Sequence, residues 1–418
     1  MALVQLIRQV FLSLLLTGAI LVNISEATAQ RPIGFVMPDG VKFTRVEFEL
    51  ISNLIVIPIQ INNKITLKFI LDTGAETSIL TEDIFGSFLG LNYVREMVLQ
   101  GPGLIDSIEA RVAANVKMAL PGGIVGHGLN MLVLKEDYLQ LNKNLGEDIY
   151  GIIGYDLFKR FVVEIDYDER VIIFHDPNKY RPRRWKRRVS MKVLNSKPYI
   201  NLKIRQDHGV DSLDFMIDTG ASHALLLDVN NSDNIHKPEK VINTLLGQGL
   251  GGDIPGYMGR LDKIRCNKYE FDDVLVSFPA PGIYLKAIKR GSEHGTIGGE
   301  ILSRFNLTFD YQNGYLYLIR GQSYKEKFDA NMSGMFLTSL GDNYDSLVVS
   351  QVYPDTPADR AGIKPGDHVL KVNNLNSDNS SLSEIQAFFR KKEGMKIKIL
   401  LNIDGEKVVK EFRLERLI

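Results

Sequence analysis

Leu67-Lys68-Phe69-Ile70-Leu71-Asp72-Thr73-Gly74-Ala75 returns, 146 residues later, as Leu213-Asp214-Phe215-Met216-Ile217-Asp218-Thr219-Gly220-Ala221. Apolar side chains alternate ahead of each Asp-Thr-Gly, at Leu67, Phe69 and Leu71 and at Leu213, Phe215 and Ile217. Thr66, Lys68, Ser212 and Asp214 stand between them. Period-two alternation is the pattern of a half-buried strand. Each Asp therefore leaves a strand end into a tight turn that glycine permits.

The duplication extends outward from this core. Gly101-Pro102-Gly103 corresponds to Gly247-Gln248-Gly249 at the same offset. A two-residue deletion then shortens the offset to 144, aligning Ile153-Gly154 with Ile297-Gly298, Arg160-Phe161 with Arg304-Phe305, and Asp166-Tyr167 with Asp310-Tyr311. Leu157/Phe161 and Ile301/Phe305 have helical spacing, and apolar strands are expected to follow and return in both copies. A single Asp-Thr-Gly arises by chance in roughly one chain in ten of this length at average residue usage. Two copies in register, each with matching strand, glycine turn and helix, do not.

Two carboxylates brought to about 3 Å cannot both ionise, so they share one proton and titrate as a unit. One then activates a water and the other protonates a carbonyl oxygen or a leaving amine. Asp72 and Asp218 are the candidate pair. Thr73 and Thr219 are expected to hydrogen-bond across the junction, and Gly74 and Gly220 to let backbone N–H groups approach the carboxylates.

These two tetrapeptides resemble the active-site signature of aspartic peptidases of the retropepsin and pepsin kind. Ile152-Ile153-Gly154 resembles the apolar-apolar-Gly segment that packs behind that loop, and Thr296-Ile297-Gly298 is a looser match. The resemblance spans residues 45–320. It implies a mainly β chain with two duplicated acid-protease β-barrel lobes, a cleft between them and an extended polypeptide as substrate. It also implies two flaps, around Gly101 and Gly103 and around Gly247 and Gly249. Three features depart from the pepsin pattern: Leu99 to Asp106 holds no Tyr, both lobes keep a flap, and Ala75 and Ala221 replace a hydroxyl residue. Without that hydroxyl to stabilise the carboxylate, an activity optimum nearer neutral than pepsin's is expected.

After Arg320 the composition changes. Residues 321–329 are polar and linker-like, and a third unit covers 330–418 without an Asp-Thr-Gly. Gly362 suits a helix C′ position, Pro365-Gly366-Asp367 a tight turn, and Ser381-Leu382-Ser383-Glu384 a capping box opening an amphipathic helix. This α+β unit resembles a bacterial PDZ domain, with Ser333 and Gly334-Met335-Phe336-Leu337 like its carboxylate-binding loop. The resemblance implies a peptide or C-terminal ligand added as an extra strand.

The expected organisation is a signal peptide (1–29), lobe 1 (30–180), a basic linker (181–188), lobe 2 (189–320), a linker (321–329) and the PDZ-like unit (330–418). Arg8, the apolar run Val10 to Val22 and Ala27-Thr28-Ala29 compose the export signal, so a periplasmic or secreted protein is expected, with no membrane span left after cleavage. Lys+Arg and Asp+Glu both number 50, which argues against a nucleic-acid binder. No cofactor and no metal are expected, since the seven His form no zinc motif. Gly247 to Gly252 matches a dinucleotide fingerprint, but Pro255-Gly256 interrupts the helix it requires. Lone Cys266 reads as a small buried hydrophobe. The expected function is aspartic endopeptidase, against a non-catalytic peptide-binding or scaffold protein that kept the fold.

Overall fold

A computed structural model describes residues 33–183, 186–229, 235–283, 294–341, 344 and 346–418. The export signal expected over 1–29 lies outside the described residues. Among the described residues no helix is long and apolar enough to cross a membrane.

Among the described residues, four sheets form the frame of Gly34–Ile418. A nine-stranded sheet forms the first lobe and an eight-stranded sheet the second. Their centres are built alike, as the repeat requires. Ile65–Leu71 pairs in parallel with Ile149–Ile153, placing Leu71 beside Ile153. Gly209–Ile217 pairs in parallel with Gly295–Ile297, placing Ile217 beside Ile297. Leu67, Phe69 and Leu71 are buried, as are Leu213, Phe215 and Ile217, but Ile70 and Met216 are buried as well, so the strands expected to be half-buried are covered on both faces where they reach the Asp-Thr-Gly turns. One apolar cluster runs through both lobes.

A six-stranded sheet joins the lobes. Its order is Arg187–Ser190, Tyr315–Arg320, Phe305–Asp310, Val162–Asp166, Val171–His175 and Phe43–Glu47. The lobe-to-lobe seam sets Val163 against Phe309 and Ile165 against Leu307. Asp166 and Asp310 close the turns after their strands, accepting from the backbone N–H groups of Asp168 and Glu169 and of Asn313.

The basic run differs from a solvated linker. Arg181 to Arg183 are exposed, but Lys186 is buried, its Nζ 2.6 Å from Glu164 Oε1 and 3.0 Å from Thr308 Oγ1. Arg187–Ser190 is an edge strand of the joining sheet. A count of charges along the chain cannot see Glu164. Burial pushes that carboxyl up, yet hydrogen bonds from His175 and Lys186 prevail and hold it down at about 2. A buried ammonium paired in this way is compatible with a strand start. Arg184 and Trp185 lie outside the described residues.

The third unit has its own core of Met335, Leu337, Val369, Ile385, Phe389, Ile397 and their neighbours. Ser381 and Glu384 form the expected capping box on the helix Leu382–Phe388. Strand Met335–Leu340 lies at the sheet edge facing that helix, and Gln386 Nε2 donates to Leu337 O at 3.3 Å. The unit is tied to both lobes. Thr338 Oγ1 donates to Lys143 O at 3.0 Å on the first, and Tyr353 Oη meets Thr244 and Leu245 on the second. Arg260 spans the second lobe and the C-terminal unit, donating from Nε to Ile418 O at 3.2 Å and from Nη2 to Phe328 O at 3.0 Å.

Candidate active site

Asp72 and Asp218 are carried to one point by the two equivalent strand ends. The backbone N–H of Asp72 donates to Ile153 O at 2.8 Å, and that of Asp218 to Ile297 O at 2.9 Å. Gly154 packs directly behind the first loop, where an added Cβ would lie 1.9 Å from Asp72 O. Gly298 does the same in the second, 2.1 Å from His223 O. The apolar-apolar-Gly segments therefore back the loops because only glycine leaves room for them.

The threonines lock the loops across the pseudo-twofold. Thr73 N–H donates to Thr219 Oγ1 at 3.0 Å and Thr219 N–H to Thr73 Oγ1 at 3.1 Å. Each hydroxyl then donates onward at 2.7 Å, Thr73 to Ile217 O and Thr219 to Leu71 O. Both threonines are fully buried. Two N–H groups, two hydroxyls and two carbonyls are satisfied at this junction without water, which fixes the loops relative to each other.

Each carboxylate accepts from the glycine two residues on: Gly74 N–H to Asp72 Oδ1 at 2.6 Å and Gly220 N–H to Asp218 Oδ1 at 3.0 Å. Each also lies over the opposite loop. A Cβ on Gly220 would meet the Asp72 carboxylate at 2.3–2.7 Å, and one on Gly74 would come within 3.4 Å of Asp218 Oδ1. Each carboxyl group shifts the ionisation of the other. Burial raises Asp72 above the ordinary carboxylate range, against the pull of Asp218, the Gly74 N–H and Lys197. Burial, and next the Asp72 charge, raise Asp218 well above it. The pair therefore holds one proton well above the pH at which free carboxylates release theirs.

The expected flaps are two hairpins, Asn92–Leu99 with Ile108–Ala119 and Ile242–Gly249 with Gly252–Cys266. Their tips meet. Gly251 N–H donates to Pro102 O and Ile105 N–H to Gly251 O, each at 2.8 Å. Gly103 needs its glycine: its φ is +136°, and a Cβ would fall 2.2 Å from Gly251. Gly101 and Gly249 also lie in this contact, against Leu250 and Pro102, whereas Gly247 has open space around it. A strand, not a helix, follows Gly252, as the interrupting Pro255 requires.

In the C-terminal unit, Gly334 has φ +78° and its carbonyl accepts from Tyr353 N–H at 2.8 Å. Met335 and Leu337 point into the core, and Phe336 packs edge-on against Tyr353, ring centroids 5.4 Å apart. A ligand along this strand would meet backbone groups and Phe336. The neighbouring helix Leu141–Leu145 of the first lobe abuts the same strand, with Gly146 between Ser339 and Leu382.

Several residues near the site carried no sequence signal of their own. Tyr353 Oη lies 2.5 Å from Thr244 Oγ1 and accepts from Leu245 N–H at 2.8 Å, on the second flap strand. Asn144 Nδ2 donates to Gln248 Oε1 of the same flap at 2.6 Å. Lys197 acts on both aspartates. Tyr311 stacks on Phe158 of the first lobe, ring centroids 5.3 Å apart, although the doubled Asp-Tyr at 166–167 and 310–311 marked its position. His223 pairs with Thr296 Oγ1 at 2.8 Å, and burial lowers it to about 4, so it is a neutral packing group. Burial pushes the Cys266 thiol up to about 11 and keeps it unreactive. Among the described residues, no three His, Cys, Asp or Glu stand together in a way that could hold a metal ion.

Comparison with known proteins agrees with this architecture. Residues 57–157 and 201–300 match the aspartyl protease family model, and 348–408 match the PDZ domain model. The chain is 29% identical over 109 residues to the carboxy-terminal processing protease CtpA of Bacillus subtilis (strain 168), covering 26% of this chain and 23% of that one. It therefore spans about a quarter of that relative's length. Basic 7S globulin from soybean is a distant structural likeness, with 11% identity, a TM-score of 0.38, and coverage of 71% of this chain and 98% of that one. The chain is thus built of two aspartyl protease domains followed by a C-terminal PDZ domain.

Proposed function

We propose that the protein is an aspartic endopeptidase that hydrolyses peptide bonds with a water held between Asp72 and Asp218. The observation that carries this reading is that each carboxylate lies over the opposite loop's glycine, with both carboxyls raised by burial. A binding protein has no need of two desolvated acids sharing a proton.

The chemistry follows from the shared proton. The ionised carboxylate takes a proton from the water as its oxygen bonds to the scissile carbonyl carbon. The protonated carboxyl gives its proton to the carbonyl oxygen, forming a neutral gem-diol. The pair then gives its proton to the amide nitrogen, the C–N bond breaks, and a gem-diol hydroxyl returns a proton to the pair as the diol collapses to an acid and an amine. The joined flap tips would lie over an extended substrate and exclude solvent. The PDZ domain would bind a polypeptide and hold it near the lobes. The name of the relative, a processing protease, supports the reading at the level of class. The export signal would place the enzyme in the periplasm or outside the cell.

The test is incubation of the purified protein with a diverse peptide mixture between about pH 3 and 8, read by mass spectrometry. Cleavage that disappears in a folded Asp72→Asn variant supports the peptidase. Peptide binding without cleavage in the parent supports the binding or scaffold reading.

A further inference from the structure

A ligand that extends the PDZ sheet must add to its free edge, the strand Met335–Leu340, in the groove beside the helix Leu382–Phe388. That groove is filled from within the chain. Met335 O accepts from Asn331 Nδ2 at 2.6 Å, and Leu337 O from Gln386 Nε2 at 3.3 Å. The end of the groove away from Gly334 holds part of the first lobe. Gly146, which closes the helix Leu141–Leu145, lies between Ser339 of the strand and Leu382 of the groove helix. An added Cβ there would stand 2.9 Å from Ser339 Oγ and 3.1 Å from Leu382 Cβ. Beside it, Thr338 Oγ1 donates to Lys143 O at 3.0 Å.

The sequence suits this fit. Gly146 has φ +69° and its N–H donates to Asn142 O at 2.8 Å, a left-handed helix end that glycine favours. Its missing side chain is what lets the turn enter the groove. The same segment also reaches the active site. Asn144 Nδ2 donates to Gln248 Oε1 at 2.6 Å, on the second flap strand Ile242–Gly249. Asn142 Oδ1 accepts from the N–H of Ile149 at 2.9 Å, where the strand Ile149–Ile153 begins. The last carbonyl of that strand holds the Asp72 N–H. One short segment thus touches the PDZ groove, the second flap and the strand behind Asp72.

We propose that residues 141–146 are an internal plug of the PDZ groove: a polypeptide ligand and the first lobe compete for one strand edge, and ligand binding releases the second flap. A peptide laid along Met335–Leu340 would overlap Gly146 and the Lys143 carbonyl, so it binds only when the segment has left. Its apparent affinity is lowered by the fraction of molecules in which the plug is seated. When the segment leaves, Asn144 parts from Gln248 and the flap loses that hold. The coupling is reciprocal, so a loosened plug favours the ligand. Only the consequence for turnover, a freer opening of the cleft, rests on the peptidase reading.

Gly146→Asn tests it. Asn tolerates the left-handed backbone, but its side chain would stand where Ser339 and Leu382 lie. All proteins carry Asp72→Asn, so that peptides stay intact. The probe is a biotinylated mixture of short peptides with randomised C-termini and free carboxylates. The peptide best retained by Gly146→Asn is then titrated against each protein. Gly146→Asn is expected to bind it at least about tenfold more tightly than the unsubstituted segment does, although position 146 lies outside the PDZ domain. Gly146→Cys with Leu382→Cys supplies the converse, because the 3.1 Å separation there is close to the roughly 3.5–4.5 Å between the Cβ atoms of a disulfide. Oxidised, this pair should lose the peptide, and reduction should restore it. Deuterium exchange reads the link to the flap. Peptide should quicken exchange across Ile242–Gly249 severalfold, and add nothing in Asn144→Ala. Equal affinity in all forms, no retained peptide, or a cysteine pair that does not oxidise would overturn the plug. Unchanged flap exchange on binding would overturn its link to the second flap. No readout here uses turnover. A parent chain that cleaves nothing sinks the peptidase reading and leaves the plug decided.

Discussion

Thr73 and Thr219 exchange backbone-to-hydroxyl hydrogen bonds across the lobes, at 3.0 Å one way and 3.1 Å the other. Each hydroxyl is donor and acceptor at once, and each is fully buried. Thr219→Val keeps the volume but strands the Thr73 N–H and the Leu71 carbonyl. A loss of about 2–4 kcal/mol is expected in urea unfolding, while Thr219→Ser should retain most of the stability. Equal stability of the Val and Ser variants would contradict this account of the junction.

The pH dependence follows from the raised carboxyls. On the peptidase reading, activity needs one protonated and one ionised Asp, so kcat/KM should be bell-shaped, both limbs above the values of free carboxylates. Maximal activity only in strong acid would contradict the burial argument. The stability consequence has a definite sign. Asp218 binds its proton more tightly folded than unfolded, so its contribution is full below the ordinary carboxylate range and is lost as pH rises. Asp218→Asn should therefore raise the melting temperature at neutral pH, and the gain should shrink below about pH 4.

The two loop glycines should not respond alike. A Cβ on Gly220 would stand 2.3 Å from the Asp72 carboxyl carbon, whereas one on Gly74 comes no closer than 3.0 Å to a carboxylate oxygen. Gly220→Ala is expected to cost at least about a hundredfold in kcat by displacing Asp72, and Gly74→Ala distinctly less. Steady-state kinetics of the two, with circular dichroism to check the fold, decide it. A greater loss from Gly74→Ala would show that the loops are arranged otherwise.

Tyr353 fastens the PDZ domain to the second flap through Thr244 and Leu245. Tyr353→Phe removes that contact and leaves the edge-on packing against Phe336. Amide exchange at Leu245 should then quicken about tenfold, the equivalent of one hydrogen bond. Unchanged exchange would mean that the flap strand is held by its pairing to Gly252–Cys266 alone.

Much of this was legible in the sequence, for a physical reason. Alternating apolar residues before each Asp-Thr-Gly fix a strand and its buried face, and the repeat demands that the second copy do the same. The mainly β architecture with a PDZ domain follows, and the family matches agree. What escaped depends on residues far apart in the chain. Lys186 reads as part of a solvated charge run until Glu164 is placed beside it. Gly103 meeting Gly251, and Tyr353 meeting the flap, join segments of different lobes and domains. Tyr311 and Tyr167 occupy equivalent places in the repeat, and only packing separates them.

The central claim is that Asp72 and Asp218 hydrolyse peptide bonds together. The most direct measurement is cleavage of one identified peptide by the parent and by Asp72→Asn and Asp218→Asn, each shown to be folded by its melting temperature. The account predicts that either substitution alone lowers kcat by at least about a thousandfold, and that the double variant is no worse than either. Cleavage that survives in one folded single variant would contradict a shared-proton pair.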